Sequence, residues 1–364
     1  MVPFDVSDVV RKVDVLMKLN YYKESLRFKS PAGTSRGILM DKPSWIFYLL
    51  DDPSVRGECS IIPGLSPDYP SEEEYEQKIK WVCESFNQLI ETENQQHILS
   101  FFCNELRSFP SILFGIETVV FNFNLTKGQD PFKSDFSIGD KGILINGLIW
   151  MGTEDFMISQ LKEKVQAGFA VLKLKIGAIE WSKELRILKL IRSQYGNQFQ
   201  VRVDANGAFD KSQVREVLKS LKELDIHSIE QPVEKGNQNL MRELCQEEIL
   251  PIALDEELIG IHNFDEKRCL LQRIKPQYII LKPSLHGGII GCNEWIELSN
   301  SMGIGWWITS ALESNIGLEM IARFAASFDL LLAQGLGTGG LFLNNFKSDL
   351  VIKEGYLFLN NEKK

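Results

Sequence analysis

The chain has 364 residues, with 40 Lys and Arg against 49 Asp and Glu. The resulting formal charge of −9 argues against nucleic acid or a membrane surface as partner, because both need a basic footprint. Hydrophobic residues at 44% and charged residues at 24% are ordinary globular proportions, which excludes collagen-like, disordered and membrane-embedded classes; the length suits a (β/α)8 barrel of roughly 250 residues plus one smaller domain.

In chain order, the N-terminal stretch carries Asp5 and Asp8 early and lacks a basic-then-apolar leader pattern, and no 18-residue apolar run follows anywhere. No two of the six cysteines form a C-x-x-C pair, so a structural zinc site or redox motif is not expected. These features read as a reduced, soluble, cytoplasmic protein. Strand-like stretches at 13–19, 24–29 and 44–50 and helical stretches at 72–91 and 111–123 predict an α+β domain, and the Gly-, Lys- and Asp-rich stretch 128–142 reads as a linker. Eight strand candidates then recur at 143–150, 171–177, 199–204, 228–233, 252–256, 278–283, 305–310 and 331–335, with amphipathic stretches between them. Their polar markers Lys173, Asp204, Glu230, Asp255, Lys282 and Ser310 are separated by 31, 26, 25, 27 and 28 residues, the rhythm of βα units closing into a barrel.

Side-chain alternation within these strands places the charges. In VLKLKIG, Val171, Lys173 and Lys175 share one face, and the same parity joins Arg202 to Asp204, Ser228 to Glu230 and Ala253 to Asp255. The opposite faces are apolar and suit the surrounding helices, so the charges point inward near the strand ends, the catalytic end of a barrel. Three converging carboxylates, Asp204, Glu230 and Asp255, need a compensating cation. Magnesium fits best, with manganese as a substitute, since the donors are hard oxygens and none of the four histidines lies at an inferred ligand position. Lys175 and Lys282, four strands apart in a ring of eight, should face each other across the mouth. A neighbouring ammonium such as Lys173 and a metal ion both favour a neutral amine, so the expected chemistry is proton abstraction beside a carboxylate of a small-molecule substrate.

The motifs KLK at 173–175, VDAN at 203–206, IEQP at 229–232, LDE at 254–256 and LKPS at 281–284 resemble the enolase superfamily, muconate-lactonizing-type subgroup. The resemblance extends to PAGTSRG at 31–37, GECS at 57–60 with PGLS at 63–66, FGIET at 114–118, INGLIWMG at 145–152, SALESNIG at 310–317 and GLGTGG at 335–340. It implies a modified TIM barrel, (β/α)7β, at 136–345, an N-terminal α+β capping domain at 1–135 completed by part of the C-terminal tail, and a tail at 346–364. It also implies that Asp204, Glu230 and Asp255 bind magnesium and that Lys175 removes a proton and returns it to a departing hydroxyl. Lys282 would stabilise the intermediate and Lys173 would assist. The implied substrate is a succinyl-bearing hydroxycyclohexadiene carboxylate, dehydrated to an aromatic product. Loops 32–37 and 62–66 would close the mouth. The candidate substrate contacts are Thr34, Ser35, Arg36, Asn206, Ser310, Glu313, Gly337 and Thr338.

Several competing readings attach to the same residues. Gly335-Leu-Gly-Thr-Gly-Gly340 spells G-x-G-x-x-G, yet an NAD-dependent oxidoreductase needs a helix and an acidic residue ~20 positions on, and only 24 residues remain. Paired lysines also suit an N-succinylamino acid racemase or a related epimerase. Dipeptide epimerases of the subgroup carry Asp-x-Asp after the last strand, where this chain has Gly-Thr-Gly-Gly, and a mandelate-racemase-like site wants a histidine where Ser310-Ala-Leu-Glu313 stands. A non-catalytic metal-binding barrel would not require both lysines. His286 either approaches the substrate or bonds backbone, Trp306 and Trp307 read as barrel packing, and Arg36 either grips a carboxylate or pins its loop. Oligomeric state is not encoded in any of these signals.

Overall fold

The computed structural model describes residues 18–34 and 37–360, the side chains at 32–34 excepted. The expected strand at 13–19 therefore lies outside the described residues up to position 17, as do Ser35, Arg36 and the Thr34 side chain.

The long hairpin β1 (Leu19–Thr34) and β2 (Gly37–Leu49) is extended by β3 (Arg56–Ser60) into an antiparallel sheet. Strand alternation divides β2: Trp45, Phe47 and Leu49 enter the apolar core with Tyr75, Ile79 and Phe86, while Lys42 and Ser44 occupy the other face. Three helices cover the apolar face, α1 (Glu72–Leu89), α2 (Gln95–Glu105) and α3 (Pro110–Thr126). Ser71 caps α1 by accepting from the Glu74 N–H, and three glutamates occupy the first turn, where the helix dipole favours them. Asn94 caps α2 in the same way. The sequence reading missed α2 because it follows a polar run and buries only a short face.

The expected strand at 143–150 is divided. β4 (Ile143–Leu144) leaves the barrel to pair with a C-terminal hairpin, whereas β5 (Gly147–Ile149) starts it. The barrel continues through α4 (Glu154–Gln166), β6 (Val171–Lys175), α5 (Trp181–Tyr195), β7 (Gln200–Asp204), α6 (Val214–Glu223) and β8 (Ser228–Glu230). It proceeds with α7 (Gln238–Glu247), β9 (Ile252–Leu254), α8 (Phe264–Ile274), β10 (Tyr278–Leu281), α9 (Gly288–Met302), β11 (Gly305–Ile308) and α10 (Asn315–Ala326). Among the described residues, β5 to β11 form one parallel sheet in sequence order. The eighth stave is reduced to Gln334 and Gly335. Gly335 N–H donates to Ile308 O of β11, and Asn146 N–H, just before β5, donates to Gln334 O, so this short piece bonds both margins and closes the ring. The result is a (β/α)7β barrel.

Two separate apolar clusters carry the alternation. Leu172, Leu174, Val203, Ile229, Leu254 and Leu281 pack outward in the main core, whereas Ala253, Ile280 and Trp307 form an interior cluster with Tyr278 and Leu332. Trp306 packs edge-on to Phe328, and the Arg202 guanidinium lies over Trp307 at 4.2 Å. Within the expected tail, β12 (Leu350–Lys353) and β13 (Tyr356–Leu359) form the hairpin that receives β4. Segment 341–343 instead bonds β1 through Lys29 and Arg27. No described helix is long and apolar enough to cross a membrane.

Candidate active site

The parallel ladder sets the site in register. Lys175 pairs with Asp204 across β6 and β7, and Asp204 pairs with Glu230 across β7 and β8, so three strand ends arrive at one level. Asp255 directly follows β9, and Lys282 directly follows β10. Lys173, Lys175, Asp204, Asn206, Glu256 and Lys282 line a cleft at this end of the barrel. Glu230 and Asp255 lie beneath that lining, almost fully buried. Ile62 and Leu65 from the N-terminal unit, with Leu148, Trp150 and Leu285, give the cleft its apolar walls. Apolar walls with a few convergent polar groups are the usual form of a small-molecule site.

The charges interlock. Lys173 Nζ lies 2.9 Å from Asp204 Oδ2 and 2.6 Å from Glu230 Oε2, Lys175 Nζ lies 2.7 Å from Asp204 Oδ2, and Lys282 pairs with Asp255. Lys175 also donates to Asn206 Oδ1 at 2.7 Å, and Asn206 Nδ2 donates to Glu256 Oε1 at 2.9 Å. Burial disfavours every charge here, and each group's neighbours decide the outcome. At Lys173 the Asp204 and Glu230 carboxylates outweigh burial and hold the ammonium well above the ordinary lysine range. Asp255 and Glu230 do the same for Lys282. Asp204 is held far below the usual carboxylate range because Lys173 and Lys175 overcome its burial, and Lys282 lowers Asp255 likewise. Glu230 moves the other way, raised by burial and by the neighbouring Asp204 charge.

Among the described residues, no three His, Cys, Asp or Glu side chains are gathered as a ready metal cluster. The ammonium groups of Lys173, Lys175 and Lys282 stand among the carboxylates instead. The donor set nevertheless suits a hard cation, because Glu230 Oε1 and Asp255 Oδ1 are buried without a hydrogen-bond partner. Glu256 Oε2 is in the same position. Glu256 was overlooked in the sequence, where two successive acids at a strand end were the available signal.

Of the remaining sequence candidates, Asn206, Ser310, Gly337 and Thr338 line the cleft. Thr338 Oγ1 and Asn146 Oδ1 are buried without partners there, and Asn146 was not foreseen. Glu313 is not among the lining residues; it is fully buried and accepts from Ser284 Oγ and Ser310 Oγ, each at 2.6 Å. Ser314 caps α10. His286 accepts the Lys282 backbone N–H on Nδ1 at 2.9 Å, and burial pushes its imidazole down to about 3, so the ring is neutral. Residues 337–340 form a turn with no helix after them among the described residues, so the structural context a dinucleotide motif requires is not found there.

The family described as Enolase C-terminal domain-like matches residues 157–362, more than half of the chain. The chain belongs to the enolase superfamily. A superfamily relative, an o-succinylbenzoate synthase of Desulfotalea psychrophila, is 41% identical over 365 residues, covering 94% of this chain and 98% of that protein. The crystal structure of MenC from Desulfotalea psychrophila matches with a TM-score of 0.74 at 36% identity, covering 94% of this chain and all of that chain. A dipeptide epimerase from Enterococcus faecalis, solved with Mg and L-Leu-L-Tyr, shares the superfamily fold at 17% identity. Its TM-score is 0.79, covering 95% of this chain and 98% of that one.

Proposed function

We propose that this chain is a lyase acting as an o-succinylbenzoate synthase. It dehydrates 2-succinyl-6-hydroxy-2,4-cyclohexadiene-1-carboxylate to 2-succinylbenzoate, a step of menaquinone biosynthesis in the cytoplasm. The observation that carries the reading is the pair of lysines entering one cleft from staves four apart, above buried carboxylates. The near-full-length likeness to the D. psychrophila synthase supports dehydration over the other chemistries such a pair could serve.

Asp204, Glu230 and Asp255 would hold magnesium, or manganese in its place, and the ion would supply positive charge against the charge developing on the substrate carboxylate. Lys175 takes the proton from the carbon beside that carboxylate, leaving an enediolate. The C–O bond then breaks on the same face, and the departing hydroxyl takes the proton back from Lys175 and leaves as water. Aromatisation of the ring favours this second step. Lys282 stabilises the enediolate from the other side, and Lys173 steadies the substrate carboxylate. Asn206 orients Lys175 through the bond from Nζ to Oδ1. Thr34, Ser35 and Arg36 from the first loop and Ser310, Gly337 and Thr338 from the barrel contact the substrate, with Glu313 holding Ser310. The working division is a capping domain at 1–135, a barrel at 136–345 and a tail at 346–364.

The test combines purified protein, magnesium and the cyclohexadiene substrate and follows appearance of the aromatic product. Turnover that disappears in Lys175→Ala is expected. Absence of turnover by the natural chain would defeat the proposal, and α-proton exchange of N-succinylamino acids in D₂O without elimination would replace it with racemization.

A further inference from the structure

Two carboxylates of the N-terminal unit end on helix N-termini of the barrel. Glu58 of β3 is fully buried, and its Oε1 accepts from Ser44 Oγ at 2.7 Å and from Ser314 N–H at 2.9 Å. Its Oε2 accepts from Ser314 Oγ at 2.5 Å and from Gly317 N–H at 3.1 Å. Glu117 of α3, also fully buried, accepts from Ile289 N–H at 2.6 Å and Ile290 N–H at 3.0 Å in the first turn of α9. Each helix has a glycine where the carboxylate arrives. A Cβ on Gly288 would stand 2.3 Å from Glu117 Oε2, and one on Gly317 would stand 3.0 Å from Glu58 Oε2 and 2.9 Å from Glu313 Cβ.

The location of the two contacts distinguishes them from general packing. Helices α9 and α10 follow β10 and β11, so their first turns anchor the far ends of the two loops that bring Lys282, Leu285 and residues 310–312 to the cleft. On the opposite side, Ile62 and Leu65 lie four and seven positions beyond Glu58 and pack on the cluster of Ile259, Leu285 and Ala311. Glu313, beside Ser314, carries the hydroxyls of both loops, Ser284 and Ser310. A carboxyl group buried against helix N–H groups gains little net stability over an apolar contact. What buried carboxyl groups with both oxygens hydrogen-bonded supply is a single geometry.

We propose that Glu58 and Glu117 are positioning residues. They hold the N-terminal unit in one register on the barrel, so that Ile62 and Leu65 and the loops after β10 and β11 together shape the cleft. Only the kinetic arm of the test rests on the proposed reaction.

Amide hydrogen exchange is measured on the full chain with magnesium for the natural sequence and for Glu58→Gln, Gly317→Ala and Glu117→Ala. In Glu58→Gln an amide NH2 faces a backbone N–H, and exchange at 314–317 should quicken about tenfold, the effect of one buried unpaired donor. The same quickening should reach 61–65 and 310–312. Gly317→Ala, which leaves Glu58 in place but crowds it, should reproduce the pattern, and the double variant should be no worse than either alone. Glu117→Ala should do the same for 285–290. In the kinetic arm, KM for the diene should rise about tenfold with kcat within a few-fold, the mark of lost uniform binding. Quickening confined to 314–317 or 289–290, or an unchanged KM in an active enzyme, overturns the proposal. If the natural chain does not turn over the diene, the reaction falls, and the exchange pattern alone still decides the positioning role.

Discussion

Lys175 is held at two points, by Asp204 Oδ2 and by Asn206 Oδ1, each at 2.7 Å, and Asn206 is itself fixed by Glu256 and by a left-handed backbone with φ of 44°. The proposed base, so constrained, would meet its proton in one direction, which is where its rate advantage would lie. Lys175→Ala should lower kcat by about 10²–10⁴-fold, with an unchanged circular dichroism spectrum and melting curve; activity within tenfold of the natural chain would remove Lys175 from the role of base. Beneath it, Glu230 offers a buried oxygen, Oε1, that has no partner. A divalent ion that takes this oxygen stabilises the folded chain by mass action. Magnesium should therefore raise the thermal midpoint and a chelator should reverse the rise, whereas Glu230→Gln should melt alike with and without the ion. A magnesium-dependent shift that persists in Glu230→Gln would exclude this carboxylate as a ligand.

At the scale of elements, the turn after β6 shows how a helix fixes the strand end that carries Lys175. Glu184 of α5 accepts backbone N–H groups from Gly177, Ala178 and Ile179, two to four residues beyond Lys175. Gly177 has φ of +89°, and a Cβ there would stand 2.3 Å from Ala208 Cβ, so the turn tolerates little else. Glu184→Ala leaves three N–H groups without an acceptor. It should cost about 3 kcal/mol in urea unfolding, and a loss under ~0.5 kcal/mol would show that water replaces the carboxylate. Elements of this kind were legible in the sequence where a rule acts locally. Alternation in VLKLKIG and the regular strand spacing anticipated Lys173, Lys175, Asp204 and Lys282 in the cleft lining, with Glu230 and Asp255 buried beneath it. Pairings made over long separations were not legible. β4 merged with β5 into one strand because it is defined by a distant partner, β13, whereas β3, read only as the motif GECS, and the hairpin of β12 and β13, read as a tail, pair with sequence neighbours and were too short to show a pattern of their own. Lys42 and Ser44 were hidden for a related reason: they occupy the polar face of β2, which is buried only once the barrel covers it.

For the whole molecule, Glu117 on α3 and the half-buried His227 just before β8 contribute opposing dependences on pH. Glu117 lies where α3 meets α9, with the thiols of Cys103 and Cys292 near it. Burial pushes its carboxyl up to about 8 from 4.5, although the N–H groups of Ile290 and Ile289 pull it down. The folded chain thus holds a proton that the unfolded chain releases. That contribution to stability is complete below pH 4.5 and is lost as pH rises through about 8. His227, stacked on Tyr278 at 5.2 Å, behaves in reverse: burial, then the Arg202 charge, lowers it to about 4 from 6.5. Its contribution is present above pH 6.5 and is lost as pH falls through about 4. The two slopes oppose one another between pH 4.5 and 6.5, and from 6.5 to 8 the Glu117 slope stands without its counterpart. Unfolding free energy should therefore decline over pH 6.5 to 8, by at most about 1.4 kcal/mol per pH unit. Glu117→Gln carries no titrating proton and should flatten that decline and steepen the loss between pH 6.5 and 4.5, where Glu117 offsets His227 in the natural chain. Urea titrations of both chains at half-unit steps read the two limbs separately, and an equal decline in Glu117→Gln would assign the alkaline limb to another group.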